Sequence, residues 1–126
     1  MKLLLVDDSR FSRVTLMKNL KEVIGSEHTF LEASSGEEAL PLFEQENPDL
    51  IFLDYLMPGI SGEDVLKKIR SSNNSCFITV LTSNYQKPVI DRLLELGANL
   101  FIQKSINKEK ITTIMDAYNH FRAMEE

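Results

Sequence analysis

Short apolar runs alternate along this chain with segments of helical period, and the alternation restricts the fold more than any other feature. The apolar runs are Leu3 to Val6, Thr29 to Ala33, Leu50 to Leu53, Phe77 to Leu81 and Leu100 to Ile102. Between them, apolar residues recur at steps of three and four positions, which is typical of amphipathic helices. Strands that alternate with helices form a mostly parallel sheet covered by helices on both faces. The sequence therefore predicts an α/β fold.

The helical segments have recognisable ends. Ser35 and Glu38 form a capping-box pattern that opens the second helix, and Asn107 is placed to cap the last one. Pro41 is expected to kink or shorten the second helix, because proline lacks the backbone N–H of a helical residue. The other predicted helices are Arg10 to Ile24, Glu63 to Ser71, Pro88 to Leu96 and Lys108 to Met124. Connections this short favour a doubly wound, flavodoxin-like sheet of five parallel strands in the order 2-1-3-4-5, with five helices.

Composition limits the classes of protein that need to be considered. A chain of 126 residues that is 43% hydrophobic and 26% charged is expected to form one domain with a single well-built core. The formal charge of -5 and the absence of clustered Lys and Arg argue against a nucleic-acid surface. The apolar start of the chain is too short for a signal peptide or a membrane span, so we expect a cytoplasmic protein with no membrane partner.

Four of the apolar runs end on residues that phosphoryl chemistry can use. The first run leads into Asp7 and Asp8, the third into Asp54, the fourth into Thr82 and the fifth into Lys104. The carboxyl ends of parallel strands share one edge of a sheet, which is where open α/β folds place ligands. Taken singly, these residues are more often helix caps, turn residues or a solvated lysine. Their joint occurrence predicts a site with three carboxylates, a hydroxyl and an ammonium.

Three carboxylates in one place require a counter-cation. Two carboxylates about 4 Å apart repel by about 4 kcal/mol at an effective dielectric constant near 20. Mg²⁺ is the natural partner, because it prefers hard oxygen ligands and keeps room for waters and phosphate oxygens beside one or two carboxylates. We therefore expect magnesium as the cofactor.

The combined motifs resemble those of the receiver domain of bacterial two-component response regulators. The chain reads LLLVDDS from Leu3, DYLMPGISG from Asp54, TS at Thr82 and GANLFIQK from Gly97. Each motif alone is a weak signal, but together they are specific and span nearly the whole chain. The start of the sequence is similar to that of single-domain, chemotaxis-type receivers. The resemblance implies one receiver domain over residues 1–126 with no output domain.

The resemblance also implies roles for the acidic residues. Asp54 would be the phosphoacceptor, and it would become an acyl phosphate by in-line attack on phosphorus. Asp8, Asp54 and the backbone carbonyl of Leu56 would bind Mg²⁺ directly, while Asp7 would act mainly through water. Such a protein catalyses only its own phosphorylation and dephosphorylation, so we do not expect an enzyme in the usual sense.

Further roles follow from the same resemblance. Thr82 and Lys104 would contact the phosphoryl oxygens, and Thr82 with Phe101 would form the switch that reports phosphorylation. Leu56 and Asn84 would flank the path of the attacking water and so modulate the lifetime of the phosphoryl group. Leu56 cannot orient a water by hydrogen bonding, so it is expected to shield the phosphoryl group.

The implied partners are proteins. A histidine kinase or phosphotransfer protein would supply the phosphoryl group. A downstream protein, or a second copy of this chain, would bind the face formed by the fourth helix, fifth strand and fifth helix. Two alternatives remain open at this point: a receiver-like binding module that acts without phosphorylation, and a haloacid-dehalogenase-type phosphatase. The phosphatase needs a second Asp two residues beyond its nucleophile, but Ser9 follows Asp7 and Leu56 follows Asp54 at that spacing.

One position departs from the receiver pattern. The family usually follows its lysine with a proline joined by a cis peptide bond, whereas this chain has Ser105 after Lys104. A cis bond before serine costs roughly 2.5 to 4 kcal/mol relative to trans. Either a trans bond with a rearranged loop or a cis bond retained by the site geometry would be compatible with the motif, and the energetic difference favours trans.

Overall fold

The chain folds as a central parallel sheet with helices on both faces. The computed structural model describes residues 1–72, 75–83 and 85–125. The strands are β1 (Lys2–Val6), β2 (Thr29–Ala33), β3 (Leu50–Asp54), β4 (Phe77–Thr82) and β5 (Leu100–Gln103). The helices are α1 (Arg10–Ile24), α2 (Gly36–Glu46), α3 (Gly62–Ser71), α4 (Lys87–Glu95) and α5 (Lys108–Glu125).

The strand order is β2-β1-β3-β4-β5, with all neighbouring pairs parallel, which confirms the predicted topology. The order reverses between β1 and β3, because the chain moves outward to β2 in one direction and then to β4 and β5 in the other. Register aligns Val6 with Leu53 and Asp54 with Leu81. The residues that follow β1 and end β3 therefore lie side by side at the carboxyl edge of the sheet.

Two hydrophobic clusters enclose the sheet, one on each face. Alternate residues of each strand point to opposite faces, so Leu3 and Leu5 join one cluster while Leu4 and Val6 join the other. The cluster of Leu3 and Leu5 is closed by α1 and α5, and the opposite cluster by α2, α3 and α4. Burial on both faces explains why the central strands read as continuous apolar runs.

Capping side chains define where most helices start. Ser9, Ser35 and Ser61 each accept a hydrogen bond from the backbone N–H three residues later, and Asn107 does the same for Lys110. Among the described residues, no helix combines the length and apolar character that crossing a membrane requires.

Two local features bear on the expectations from the sequence. Helix α2 is not shortened at Pro41 but continues to Glu46, because Ala39 and Phe43 on either side of the proline are packed in the core. The Lys104–Ser105 peptide bond is cis, so the preference for trans was wrong. In this arrangement the carbonyl oxygens of Gln103 and Ser105 both accept hydrogen bonds from the Lys110 ammonium, at 2.7 and 2.8 Å.

Candidate functional site

Three carboxylates converge where the strand order reverses. Asp7 and Asp8 directly follow β1, and Asp54 is the last residue of β3. One oxygen from each side chain lies within 4.8 Å of the others. Asp7 and Asp54 are both only 5% exposed, whereas Asp8 is open to solvent. The structure therefore brings together the three acids singled out from the sequence.

A single ammonium lies between two of these acids. Lys104, the residue after β5, places its Nζ 2.9 Å from Asp7 Oδ2 and 3.2 Å from Asp54 Oδ1. Its backbone N–H donates to the carbonyl of Thr82 at 2.8 Å, which joins the ends of β4 and β5. Thr82 itself is 1% exposed. The fourth and fifth strands thus deliver the predicted hydroxyl-bearing and cationic residues to the same edge.

Burial and crowding of charge control the ionisation of Asp54. The pKa of Asp54 is raised from 3.8 to about 6, mainly by burial and also by the negative charges of Asp7 and Asp8, while Lys104 opposes the rise. Burial alone would lower the pKa of Lys104, but its hydrogen bond to Asp7 and the charges of Asp54 and Asp7 together raise it. At neutral pH the site therefore holds an ionised Asp54 beside a protonated lysine.

Backbone contacts hold Asp7 in place. The N–H of Ser9 donates to Asp7 Oδ1 at 2.9 Å, and Arg13 Nη1 donates to the Asp7 backbone carbonyl at 2.6 Å. Arg13 is fixed in turn by Glu32, with Nε 3.1 Å from Oε1. These contacts connect the turn after β1 to α1 and β2, so the acidic pair has little freedom to move away from Asp54.

The loop that follows Asp54 is fixed by a close backbone approach. The N–H of Gly62 donates to the carbonyl of Tyr55 at 3.1 Å. A side chain at Gly62 would overlap the carbonyl oxygen of Asp54, so only glycine allows α3 to begin this close to the site. This explains physically why glycine ends the DYLMPGISG segment.

The donor set suits a hard divalent cation. Oxygens bound to one octahedral Mg²⁺ lie at most about 4.2 Å apart, given metal-oxygen distances of about 2.1 Å. The oxygens of Asp7, Asp8 and Asp54 lie within 4.8 Å of one another, so small side-chain adjustments, or a bridging water at Asp7, would meet that requirement. Asp8 is the exposed member and leaves solvent access for a cation.

Comparison with known proteins decides the family. The family model of the response regulator receiver domain matches residues 3–116 of this chain. The chain belongs to this family. As a receiver domain, it takes the phosphoacceptor part in two-component signalling, and phosphorylation on aspartate with magnesium binding is typical of its family.

Individual relatives agree with this assignment. Chemotaxis protein CheY of Pseudomonas aeruginosa is 33% identical over 125 residues, which cover 94% of this chain and 99% of that protein. A cyclic di-GMP phosphodiesterase of Thermotoga maritima is 35% identical over 109 residues, but these are 86% of this chain and only 28% of that protein. The structure of Vibrio cholerae chemotaxis protein CheY4 superposes with a TM-score of 0.82 at 25% identity, covering 91% of this chain and 95% of that one.

The remaining predicted residues of this receiver domain occupy distinct environments. Phe101 is already buried, and its ring lies 5.4 Å from that of the exposed Tyr85 in an edge-on arrangement. Register pairs Val80 with Phe101, so Phe101 and Thr82 point to the same face of the sheet. Leu56 is 62% exposed at the rim of the site. Asn84 lies outside the described residues.

Three residues around the receiver site make contacts that were not predicted from the sequence. Arg13 holds the Asp7 carbonyl, Tyr85 contacts Phe101, and Lys110 binds the two carbonyls that flank Lys104. Arg13 and Tyr85 gave no local signal, since their partners depend on loop geometry. Lys110 did offer one: a cation in the first turn of a helix opposes the helix dipole, which suggests that it serves another contact.

Proposed function

We propose that this receiver domain accepts a phosphoryl group on Asp54 and passes the signal on through a changed protein-binding surface. The observation that carries the proposal is the position of the Asp54 carboxylate, which is buried, bonded to Lys104 and adjacent to Asp7 and Asp8. An acid that served only to pair with Lys104 would not need two further acids beside it. A carboxylate nucleophile that receives an anionic group needs both the acids, for a cation, and the lysine.

The chemistry follows from these groups. One carboxylate oxygen of Asp54 attacks phosphorus in line, and the bond from phosphorus to the donor breaks as its electron pair leaves with the donor. The donor is a phosphohistidine of a kinase or phosphotransfer protein, or a small acyl phosphate. Because its pKa is about 6, Asp54 is mainly ionised and nucleophilic at neutral pH. The Lys104 ammonium and the Thr82 hydroxyl donate hydrogen bonds to the phosphoryl oxygens.

Magnesium is proposed as the cofactor. Asp8, Asp54 and the backbone carbonyl of Leu56 would hold it directly, with Asp7 acting through water. Bound Mg²⁺ supplies the positive charge that lets an anionic donor approach three carboxylates. Lys104 alone contributes one positive charge, which leaves the group of acids with a net negative charge.

Leu56 is proposed to set the lifetime of the aspartyl phosphate, together with Asn84. The exposed apolar side chain of Leu56 at the rim can exclude water but cannot orient it for attack. Substituting Leu56→Asn should therefore speed hydrolysis of the phosphorylated protein, measured as decay of the phosphorylated mass under matched Mg²⁺.

Thr82 and Phe101 are proposed to couple the site to a surface formed by α4, β5 and α5, where a downstream protein or a second copy would bind. Phe101 is already buried in this structure, so little free energy remains to be gained by burying its ring. A shift of the Phe101 ring on phosphorylation would instead change its contact with the exposed ring of Tyr85. Comparing ring chemical shifts with and without beryllofluoride tests this, and unchanged shifts of both rings would contradict it.

Phosphate uptake tests the proposed function. Wild type and Asp54→Asn are incubated with acetyl phosphate and Mg²⁺, and their intact masses are measured. We expect the wild type alone to gain one phosphoryl group, and only when Mg²⁺ is present. Equal uptake by both proteins would contradict the assignment of Asp54. No uptake by the wild type would instead favour a binding module that acts without phosphorylation.

A further inference from the structure

A lysine on α5 contacts the segment that carries Lys104. The Nζ of Lys110 donates to the carbonyl oxygen of Gln103 at 2.7 Å and to that of Ser105 at 2.8 Å. These carbonyls belong to the residues immediately before and after Lys104. One ammonium therefore binds the backbone on both sides of the lysine that bridges Asp7 and Asp54.

The segment around Lys104 lies at the edge of the sheet, where the neighbouring strand holds it on one side only. Strand β5 lies at the edge of the sheet, so no further strand within the described ranges binds its outer backbone groups. The last bond between β5 and its neighbour is the one from the Lys104 N–H to the Thr82 carbonyl. Lys110 attaches the last residue of β5, Gln103, and the first residue beyond Lys104, Ser105, to α5.

Lys110 is itself well anchored. Its backbone N–H donates to the Asn107 side chain at 2.8 Å, so it sits in the capped first turn of α5. A positive charge in the first turn of a helix is unfavourable with respect to the helix dipole. The placement is thus not explained by helix stability, whereas the two carbonyl contacts do explain it.

We propose that Lys110 is a positioning residue for Lys104. By fixing the backbone on both sides, it restricts where the long and flexible Lys104 side chain can place its ammonium. The ammonium is then held 2.9 Å from Asp7 and 3.2 Å from Asp54 before any donor arrives. The catalytic consequence rests on the proposed phosphoacceptor function, whereas the positional consequence for Lys104 does not.

The chain contains a matched control in the same helical turn. Lys108 also lies in the first turn of α5, but its Nζ binds Glu22 Oε2 at 2.9 Å and its side chain is 64% exposed. Lys108→Met removes the same charge from the same turn as Lys110→Met without touching the segment around Lys104. Lys110→Arg keeps a cation able to donate to two carbonyls.

The first measurement is the initial rate of phosphorylation by acetyl phosphate at saturating Mg²⁺. We expect Lys110→Met to lower this rate about tenfold, because a displaced catalytic group loses much of its effect. Lys108→Met should match the wild type, and Lys110→Arg should recover most of the rate. Equal rates for the two methionine variants would overturn the proposal.

A double-mutant cycle separates positioning from general stability. If Lys110 acts through Lys104, Lys110→Met should not lower the rate further in a Lys104→Ala background. An unchanged tenfold loss in that background would show that Lys110 acts independently of Lys104, which would overturn the proposal.

The second measurement needs no phosphoryl transfer. Lysine acetylation by acetic anhydride, followed by peptide mass spectrometry, reports how accessible the Lys104 ammonium is. We expect severalfold faster labelling of Lys104 in Lys110→Met than in wild type or Lys108→Met, with Lys110→Arg close to wild type. Unchanged Lys104 labelling in a folded Lys110→Met protein would overturn the inference even if phosphorylation proceeds normally.

Folding of each variant is checked by circular dichroism. If Lys110→Met does not fold, Lys110→Gln retains a neutral donor amide and gives the same comparison. Failure of the wild type to take up phosphate would count against the proposed function, whereas the labelling result would still decide the position of Lys104.

Discussion

The two ends of the sheet differ in how their acidic side chains are paired with cations. At the carboxyl end, three acids converge, and Lys104 pairs with two of them, Asp7 and Asp54. At the amino end, acids and cations are matched: Asp49 accepts from the Lys2 backbone N–H at 2.7 Å and lies 3.4 Å from Arg122, and the Lys2 ammonium lies 3.3 Å from Glu46. We therefore expect the amino end to contribute to stability, while the carboxyl end retains repulsion that a bound cation would relieve.

Arg70 is the clearest example of the stabilising end. Its guanidinium donates to the carbonyl of Gly97 at 2.8 Å and to the Asn99 side chain at 2.7 Å. Asn99 in turn accepts from the N–H of Ile78 at 2.9 Å, near the start of β4. These bonds join α3 to β4 and to the turn before β5, and none of their partners lies at the acidic site.

The largest expected difference between the ends is the pH dependence of Asp54. A rise of its pKa from 3.8 to about 6 means that ionised Asp54 costs the folded state about 3 kcal/mol. The folded protein binds this proton more tightly than the unfolded chain, so the contribution to stability falls as pH rises between these values. Between about pH 4 and about pH 7.5, the free energy of unfolding of Asp54→Asn should therefore rise by about 2 to 3 kcal/mol relative to that of the wild type.

Urea unfolding of both proteins without Mg²⁺ measures this difference. The pKa values of Glu22, Glu37 and Glu38 are lowered by hydrogen bonds, so their contribution is present above their ordinary pKa and lost as pH falls. Both proteins share these groups, and their effect cancels in the difference. Asp49→Asn, at the other end, should instead lower stability by about 1 kcal/mol near neutral pH. If the difference in the free energy of unfolding between wild type and Asp54→Asn did not change with pH, the proposed contrast between the two ends of the sheet would be wrong.

Arg70→Met should give the next largest effect, a loss of about 2 kcal/mol in the free energy of unfolding. Arg92→Met is the control, because Arg92 is 62% exposed and pairs with Glu63 at the surface, where ion pairs contribute less than about 1 kcal/mol. Neither change should alter the affinity for Mg²⁺. Similar losses for both variants would show that the amino end is no more stabilising than an ordinary surface.

Removing one acid at each end should affect Mg²⁺ affinity at only one of them. We expect Asp8→Asn to weaken Mg²⁺ binding about tenfold, since it removes one of three converging carboxylates. Asp49→Asn should leave the affinity unchanged. Titration followed by amide chemical shifts gives both affinities, and an equal weakening would indicate a nonspecific response to lost negative charge.

The smallest effect is expected from two threonines of β4. Thr79 Oγ1 is buried without a hydrogen-bond partner among the described residues, between Phe52 and Leu100 in the sheet register. Thr79→Val should raise the free energy of unfolding by about 1 kcal/mol and leave phosphorylation unchanged. Thr82→Val, three residues further along, should instead slow phosphorylation. Slower phosphorylation in Thr79→Val would remove this distinction.

The strands, their order and the convergence of Asp7, Asp8 and Asp54 could be predicted because they depend on periodicity and on which residue ends each strand. The family of the chain could be predicted because the motifs that contain Asp7, Asp54, Thr82 and Lys104 are specific in combination. These features depend on local sequence and on the rule that parallel strands share an edge.

Other features depend on tertiary contacts that local sequence does not encode. Core packing on both sides of Pro41 keeps α2 intact despite the missing hydrogen bond. The carbonyl of Ser105 accepts a hydrogen bond from Lys110, five residues later and in a different element. Burial of the Phe101 ring involves Tyr85, which lies beyond the end of the neighbouring strand.

Locating the phosphoryl group decides whether Asp54 is the phosphoacceptor. After incubation with acetyl phosphate and Mg²⁺, borohydride reduces an aspartyl phosphate to homoserine, and peptide mass spectrometry identifies the modified position. We predict homoserine at Asp54 alone, with Asp7, Asp8 and the paired Asp49 unmodified. Modification at any of these other aspartates, with Asp54 intact, would contradict it.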